Sequence, residues 1–180
     1  MAKVIMNEAE IHAAVTRMAF EITEALDQEE EICLIGIQRR GVYLAQMLKE
    51  KIEAISKLEH TKEKKVCLGS LDITFYRDDL SMLHDYPVKN GSEIGFALDN
   101  KSIVLVDDVL YTGRTVRAAI DALFEFGRPK AVKLAILIDR GHRELPFCAD
   151  FVGKDVPTSR KEDISVKVAS LDGVNQVEIL

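Results

Sequence analysis

Two adjacent carboxylates, Asp107 and Asp108, follow the apolar run Ile103–Val106 and precede Val109-Leu110-Tyr111-Thr112-Gly113-Arg114-Thr115. A β-branched apolar run of this length reads as a strand buried on both faces. The small residues after it, with a helical pattern behind them, set backbone N–H groups and a positive helix end around one point, which is a cradle for phosphate. Acids beside such a cradle suit vicinal hydroxyls or a hard cation such as Mg²⁺. Capping alone explains an Asp or Thr at a strand–loop–helix junction. Two like charges in succession ask for more, because each disfavours ionisation of the other unless a counter-charge or a hydroxyl-rich ligand is near. The stretch therefore points to a sugar-phosphate site.

Two further strands end in polar groups. Glu31–Ile37 runs into Gln38-Arg39-Arg40-Gly41, and the arginines between Gly36 and Gly41 suit an anion with several oxygens. A solvated basic turn is the competing reading. Ala131–Ile138 runs into Asp139-Arg140-Gly141-His142-Arg143-Glu144. In an open parallel sheet, ligands sit at the carboxyl ends of strands, so all three groups should meet at one edge.

The elements that must hold them follow from periodicity. Ile11, Val15, Met18, Ala19, Ile22 and Leu26 form one stripe of a helix over 8–26, with Phe20 at its edge. A second helix runs from Gly41 to about Leu58, and a third covers 113–127 with Gly127 as its C-cap. Val66–Tyr76 reads as a strand with partial alternation. Residues 77–100 show no period and are long for a connection, which predicts a β-hairpin arm or lid with Tyr76 and Arg77 at its base and His84 in solvent. Ile164–Val168 and Val174–Ile179 alternate like one-side-buried strands, forming with 149–154 a small β-rich appendage.

The 180 residues suit one domain with a substantial core. At 47% hydrophobic and 30% charged, the composition is that of a soluble globular protein, expected in the cytoplasm with no membrane association. A net charge of −6 argues against a strongly cationic nucleic-acid binder. Cys33, Cys67 and Cys148 are odd in number and far apart, and read as reduced thiols.

Val106–Thr115 closely resembles the phosphoribosyl-pyrophosphate motif of type I phosphoribosyltransferases. Gly36-Ile37-x-x-Arg40-Gly41, Asp72-Ile73-Thr74-x-Tyr76-Arg77-Asp78-Asp79-Leu80, Asp139–Pro146 and Gly153-Lys154-x-x-Pro157-Thr158-Ser159 extend the likeness to the bifunctional pyrimidine operon regulator/uracil phosphoribosyltransferase family, PyrR, over nearly the whole chain. The resemblance implies an α/β type I phosphoribosyltransferase fold over 1–180: a mostly parallel sheet flanked by helices, a flexible β-arm at 77–100, and a hood with C-terminal strands at 140–180. It implies the conversion of uracil and phosphoribosyl pyrophosphate to UMP and pyrophosphate with Mg²⁺, and a homodimer or higher homo-oligomer. By the same resemblance, Asp107 and Asp108 grip the ribose hydroxyls, Tyr111, Thr112, Gly113, Arg114 and Thr115 cradle the 5′-phosphate, and Val109 and Leu110 also bind substrate. Arg39, Arg40 and Gly41 hold the pyrophosphate, in a loop that in this superfamily often contains a non-proline cis peptide. Arg77 closes over the leaving group. Asp139 and Arg140 sit near base and metal, with Asp107 and Asp139 as Mg²⁺ candidates. Phe151 and Val152 form the hood, with backbone groups reading the uracil edge.

The family's second role is UMP-dependent binding of an mRNA leader. Thr16, Arg17, Arg143 and Lys154 are the residues implied for it, with Arg160 and Lys161 able to extend a basic face. The first helix departs from the family pattern: Ile11-His12-Ala13-Ala14 stands where paired basic residues are common, Phe20 replaces a histidine, and Arg39 replaces a small hydroxyl residue in the pyrophosphate loop. RNA affinity depends on such cations. Two rivals stay open: an RNA-binding attenuator that uses the site only to sense UMP or UTP, and a phosphoribosyltransferase for another base, such as a purine.

Overall fold

A computed structural model describes residues 2–58, 64–77 and 91–180. Its centre is a five-stranded parallel sheet in the order β3-β2-β4-β5-β6, formed by β2 (Glu31–Ile37), β3 (Lys65–Leu71), β4 (Ser102–Leu110), β5 (Ala131–Asp139) and β6 (Phe151–Asp155). α1 (Glu8–Ala25) and α2 (Arg40–Leu58) cover one face, and α3 (Arg114–Leu123) covers the other. β4 explains its own apolar run: Val104 and Val106 enter the core beneath α1 and α2, while Ile103 and Leu105 enter the core beneath α3. A strand buried on both faces has no polar side to alternate with.

α1 starts where its first residues dictate. The Asn7 side chain accepts from the Glu10 amide at 3.0 Å, and the Glu10 carboxylate accepts from the Asn7 amide at 2.8 Å, a reciprocal capping box. α3 is shorter than the sequence pattern suggests. It ends at Leu123 with Phe124 as its C-cap, and Gly127 lies beyond it with φ of +152°.

The strand expected over 66–76 stops at Leu71, and Thr74–Tyr76 forms a 3₁₀ turn instead. Glu93 of the arm pairs with Ser70 of β3 as an isolated antiparallel bridge. Of the hairpin arm expected over 77–100, residues 78–90, His84 among them, lie outside the described residues. The appendage also divides differently. β6 joins the main sheet as its edge strand, paired in parallel with β5. β7 (Ile164–Lys167) and β8 (Gln176–Ile179), with the four-residue helix α4 (Ala169–Asp172) between them, form a separate antiparallel sheet with β1 (Lys3–Met6) in the order β1-β8-β7. No described helix is long and apolar enough to cross a membrane.

Candidate active site

The strand order changes direction between β2 and β4, so the polar ends of both strands open onto one crevice at the sheet's carboxyl edge. Two cavities lie there. One, of about 260 Å³, is lined by Arg77 and the continuous segment Val109–Val116. The other, of about 520 Å³, is lined by residues that include Gln38, Arg39, Arg40, Asp72, Thr74, Asp107 and Asp108. Arg77, Val109 and Thr115 border both. The two acids thus line the arginine-bearing pocket, next in sequence to the segment that forms the backbone cradle.

β4 does not end before the acids, as the sequence suggests. It continues through Asp107 and Asp108 to Leu110. Val106 and Val109, three residues apart, both pack towards α1 and α2, so the strand departs from strict alternation across the acid pair. The two carboxylates differ. Asp107 is 7% exposed, whereas Asp108 is half-buried. Burial first, and then the neighbouring Asp108 charge, push the Asp107 carboxyl well above the usual carboxylate range, opposed by the Asp108 amide that donates to Asp107 Oδ1 at 2.9 Å.

The phosphate-side loop is shaped from behind by residues 143–145. Arg143 Nη1 donates to the carbonyls of Leu110 and Tyr111 at 3.3 and 2.9 Å. The amides of Glu144 and Leu145 both donate to the Thr112 carbonyl at 2.9 Å. Three successive carbonyls are therefore satisfied away from the cavity. Gly113 is the N-cap of α3 with φ of +92°, and a Cβ there would meet Phe147 at 3.1 Å and Leu145 at 3.3 Å. Arg114 pairs with Glu144 at 3.0 Å.

The loop after β2 carries a cis peptide between Gln38 and Arg39. Gly41 is required by closeness: a Cβ on it would lie 2.3 Å from the Val106 carbonyl oxygen. Asp72 and Thr74 line this pocket too. Asp72 Oδ1 accepts from the Thr74 amide at 2.9 Å and its hydroxyl at 2.6 Å. The sequence holds them inside a family motif, yet no period or charge pattern singled them out.

Residues 3–169 match the phosphoribosyl transferase domain family. The chain is 59% identical to the Bifunctional protein PyrR of Acetivibrio thermocellus, covering 97% of this chain and 92% of that protein. It is 50% identical to the Bifunctional protein PyrR of Clostridioides difficile, over 97% of this chain and 96% of that one. The chain belongs to the PyrR family of phosphoribosyltransferases. Among solved structures, a hypoxanthine-guanine phosphoribosyltransferase from Bacillus anthracis aligns with a TM-score of 0.70 at 19% identity, over 97% and 95% of the two chains. The hypoxanthine phosphoribosyltransferase of Trypanosoma cruzi aligns with a TM-score of 0.73 at 15% identity, over 99% and 95%. At such identities the likeness speaks to the fold, which is the type I phosphoribosyltransferase fold expected from the sequence.

Other residues implied by the PyrR resemblance have settings that the sequence did not anticipate. Phe151 is a core residue, 5% exposed, because its register opposite Ala135 places it among the residues beneath α1 and α2. It offers no open face to a base. The carbonyl of Val152 and that of Gly153 accept from Arg17 Nη2 at 3.0 and 2.6 Å. Asp139 has both oxygens engaged, one by the Gly141 amide at 2.9 Å and the other by Arg143, which counts against it as a ready Mg²⁺ ligand. Arg140 is 3% exposed. Its guanidinium lies 4.1 Å from the Tyr111 ring centroid and binds Asp163 at 2.8 Å, so it braces the cradle rather than facing an open pocket.

The residues implied for RNA are similarly occupied. The Thr16 hydroxyl donates to the His12 carbonyl at 2.8 Å, Arg17 also pairs with Glu21, and Lys154 Nζ donates to the Ile5 carbonyl at 3.0 Å. Arg143 is half-buried against the cradle rather than part of an exposed basic face. Arg160 and Lys161 are exposed.

At the opposite edge of the sheet, Glu31, Cys33 and Cys67 bring their ligand atoms within 4.8 Å of one another. This cluster is closed by its own contacts. The Cys67 thiol donates to Glu31 Oε2 at 3.2 Å, and both Lys65 and Lys101 pair with the same carboxylate. Burial pushes the Cys33 thiol up to about 12, and all three cysteines are free thiols.

Proposed function

We propose that this chain transfers the phosphoribosyl group of phosphoribosyl pyrophosphate to uracil, giving UMP and pyrophosphate. The observation that carries the reading is the pair of adjoining cavities, one a backbone cradle and the other lined by arginines together with Asp107 and Asp108, with Arg77, Val109 and Thr115 bordering both. A ribose with a phosphate at one end and a pyrophosphate at the other asks for that order of groups. The choice of uracil is carried over from the PyrR family.

In the reaction the N1–C1 bond forms, the C1–oxygen bond to pyrophosphate breaks, and uracil N1 loses its proton. Positive charge grows on the ribose ring and negative charge on the leaving group, so positioning and electrostatics supply the rate. The Tyr111–Thr115 backbone, with the Thr112 and Thr115 hydroxyls, holds the 5′-phosphate. Asp107 and Asp108 take the ribose hydroxyls and lie close to the growing cation. Arg39 and Arg40 face the pyrophosphate. Arg77, bordering both cavities, covers the reacting centre and excludes water.

Mg²⁺ fits the donor set of the larger cavity. Asp72, Asp107 and Asp108 are hard oxygen donors, and Mg²⁺ is commonly held by one or two carboxylates together with substrate phosphate oxygens. When bound there, it would neutralise charge on the leaving pyrophosphate. The family's second activity, UMP-dependent binding of an mRNA leader, is proposed with it. Exposed Arg160 and Lys161 support a phosphate-contacting face, while Arg17, Arg143 and Lys154 serve the fold first.

Incubation with phosphoribosyl pyrophosphate, Mg²⁺ and each nucleobase in turn tests the reading. UMP from uracil is expected, and its absence refutes the assignment. Retention of leader RNA at moderate salt, measured with and without UMP, tests the second activity. Retention that ignores UMP leaves an enzyme only.

A further inference from the structure

Arg40 begins α2 beside the larger cavity, at a costly place for a cation. A helix start carries partial positive charge from its aligned peptide units, and the first turn of α2 has no acidic residue. Arg39 adds a second cation next to it. The counter-charge comes from 132 residues further along the chain: Arg40 Nη2 donates to both oxygens of Asp172, at 3.1 and 3.4 Å.

Asp172 is itself fixed. It ends α4, between two strands of the second sheet, and its Oδ2 also accepts from the Val168 amide at 2.9 Å. That amide first, and then the Arg40 charge, hold its carboxyl below the usual range. On the other side of the pair, Arg40 Nε is buried with no hydrogen-bond partner among the described residues. The contact with Asp172 is therefore what sets the direction of the Arg40 guanidinium.

We propose that Asp172 is a positioning residue for phosphoribosyl pyrophosphate: it grips one edge of Arg40 and presents the guanidinium, already oriented, at the rim of the pyrophosphate pocket. This rests on the phosphoribosyl-transfer reading above. An arginine left to rotate would have to be ordered when substrate arrives, and that ordering subtracts from affinity. The second sheet, which contributes no strand to the crevice, would in this way act on the substrate through one side chain.

The test uses the full chain and steady-state kinetics of D172A, D172N, D172E and R40Q, with the double variant R40Q/D172A. Asn at position 172 keeps an acceptor for the Val168 amide and removes the charge, which separates the ion pair from the turn it sits on. Both D172A and D172N should raise KM for phosphoribosyl pyrophosphate by about three- to tenfold, the affinity equivalent of ordering one long side chain. Inhibition by pyrophosphate should weaken by the same factor, while kcat and the uracil KM stay within about twofold. D172E should recover most of the loss, and adding D172A to R40Q should change nothing further. An unchanged KM in D172N, or an equal effect of D172A with and without Arg40, overturns the proposal. So does a lowered KM, which would make Asp172 a competing anion. If the wild-type chain makes no nucleotide from any base, the reaction reading fails. Calorimetric binding of pyrophosphate to wild type and D172N then still decides the role of Asp172, with weaker binding to D172N expected and equal binding overturning it.

Discussion

Replacing Gly41 with alanine tests the packing and the proposed chemistry together. The added Cβ would lie 2.3 Å from the Val106 carbonyl oxygen and 3.2 Å from Asp107 Cα, where ordinary contact begins near 3.4 Å. Both neighbours are backbone, so neither can swing aside. Relief requires the start of α2 and the β4 strand to separate by about 1 Å, the difference between those distances. Overpacking of this kind costs about 1–3 kcal/mol. In a chain of this length, that lowers Tm by roughly 2–12 °C. The kinetic effect should be larger, because the same displacement moves the arginine-bearing loop away from the acid pair, and a misplacement near 1 Å can cost about a hundredfold. We expect kcat/KM for phosphoribosyl pyrophosphate to fall by about ten- to a hundredfold. Gly95→Ala, which meets nothing within 4 Å, serves as the control and should leave both quantities near wild type. Thermal melts and initial rates decide the matter. A G41A protein with kcat/KM within twofold of wild type refutes the positioning argument, even if its Tm has dropped.

Asp107→Asn should abolish most turnover without weakening the fold. Burial raises the folded-state pKa of this acid, so ionising it costs folding energy at pH values above the usual carboxylate range; urea midpoints should show D107N gaining on wild type as pH rises from about 4 to 7. Equal turnover in D107N and D108N relative to wild type would remove the ribose grip. Glu31 behaves oppositely: the Lys101 and Cys67 hydrogen bonds lower its carboxyl from 4.5 to about 2, so its contribution is full above 4.5 and lost as pH falls towards 2. Glu31→Gln should therefore destabilise the protein by about 1–2 kcal/mol at pH 7, discounted for partial exposure, with the difference closing in acid; a constant difference across pH would refute the cause given. Arg143→Gln, which releases the Leu110 and Tyr111 carbonyls and breaks the pair with Asp139, should raise KM for phosphoribosyl pyrophosphate at least about fivefold and cost about 2 kcal/mol. Unchanged kinetics would show that the cradle holds its shape without it.

The sheet and its site edge were legible because buried parallel strands announce themselves as unbroken apolar runs that end in charge. β2, β4 and β5 are of this kind; the polar ends of β2 and β4 meet in the crevice as expected, whereas that of β5 lines neither cavity, because Asp139 and Arg140 are engaged by Gly141, Arg143 and Asp163. β6 was harder to read. It is five residues long, at the sheet edge and mixed in character, so its place in the main sheet depends on pairing with β5, which local sequence does not encode. β1 was missed for a similar reason: four residues gain a partner only from the far end of the chain. Charge identity was visible, but charge commitment was not. Arg17, Arg140, Arg143 and Lys154 all read as cations available to a ligand, yet each donates to a backbone carbonyl, and Arg140 and Arg143 are buried or half-buried among their partners. A motif gives residue types in order along the chain. Which arginine faces a cavity and which braces it depends on contacts between segments tens of residues apart.

The pairing of β1 with β8 has a consequence for how the protein is made. Lys3 lies opposite Ile179, so β1 is made well before the strand that completes its hydrogen bonds. Until then β1 is an open edge able to recruit strands from other chains. During that interval α1 and α2 can already pack on β2, since those elements are contiguous in sequence. The antiparallel sheet would close last, and with it α4 would bring Asp172 to Arg40. A nascent chain stalled before residue 172 would hold the acid pair and the cradle but lack that counter-ion, so competence to bind substrate tightly would arrive only once Asp172 is made and α4 has formed.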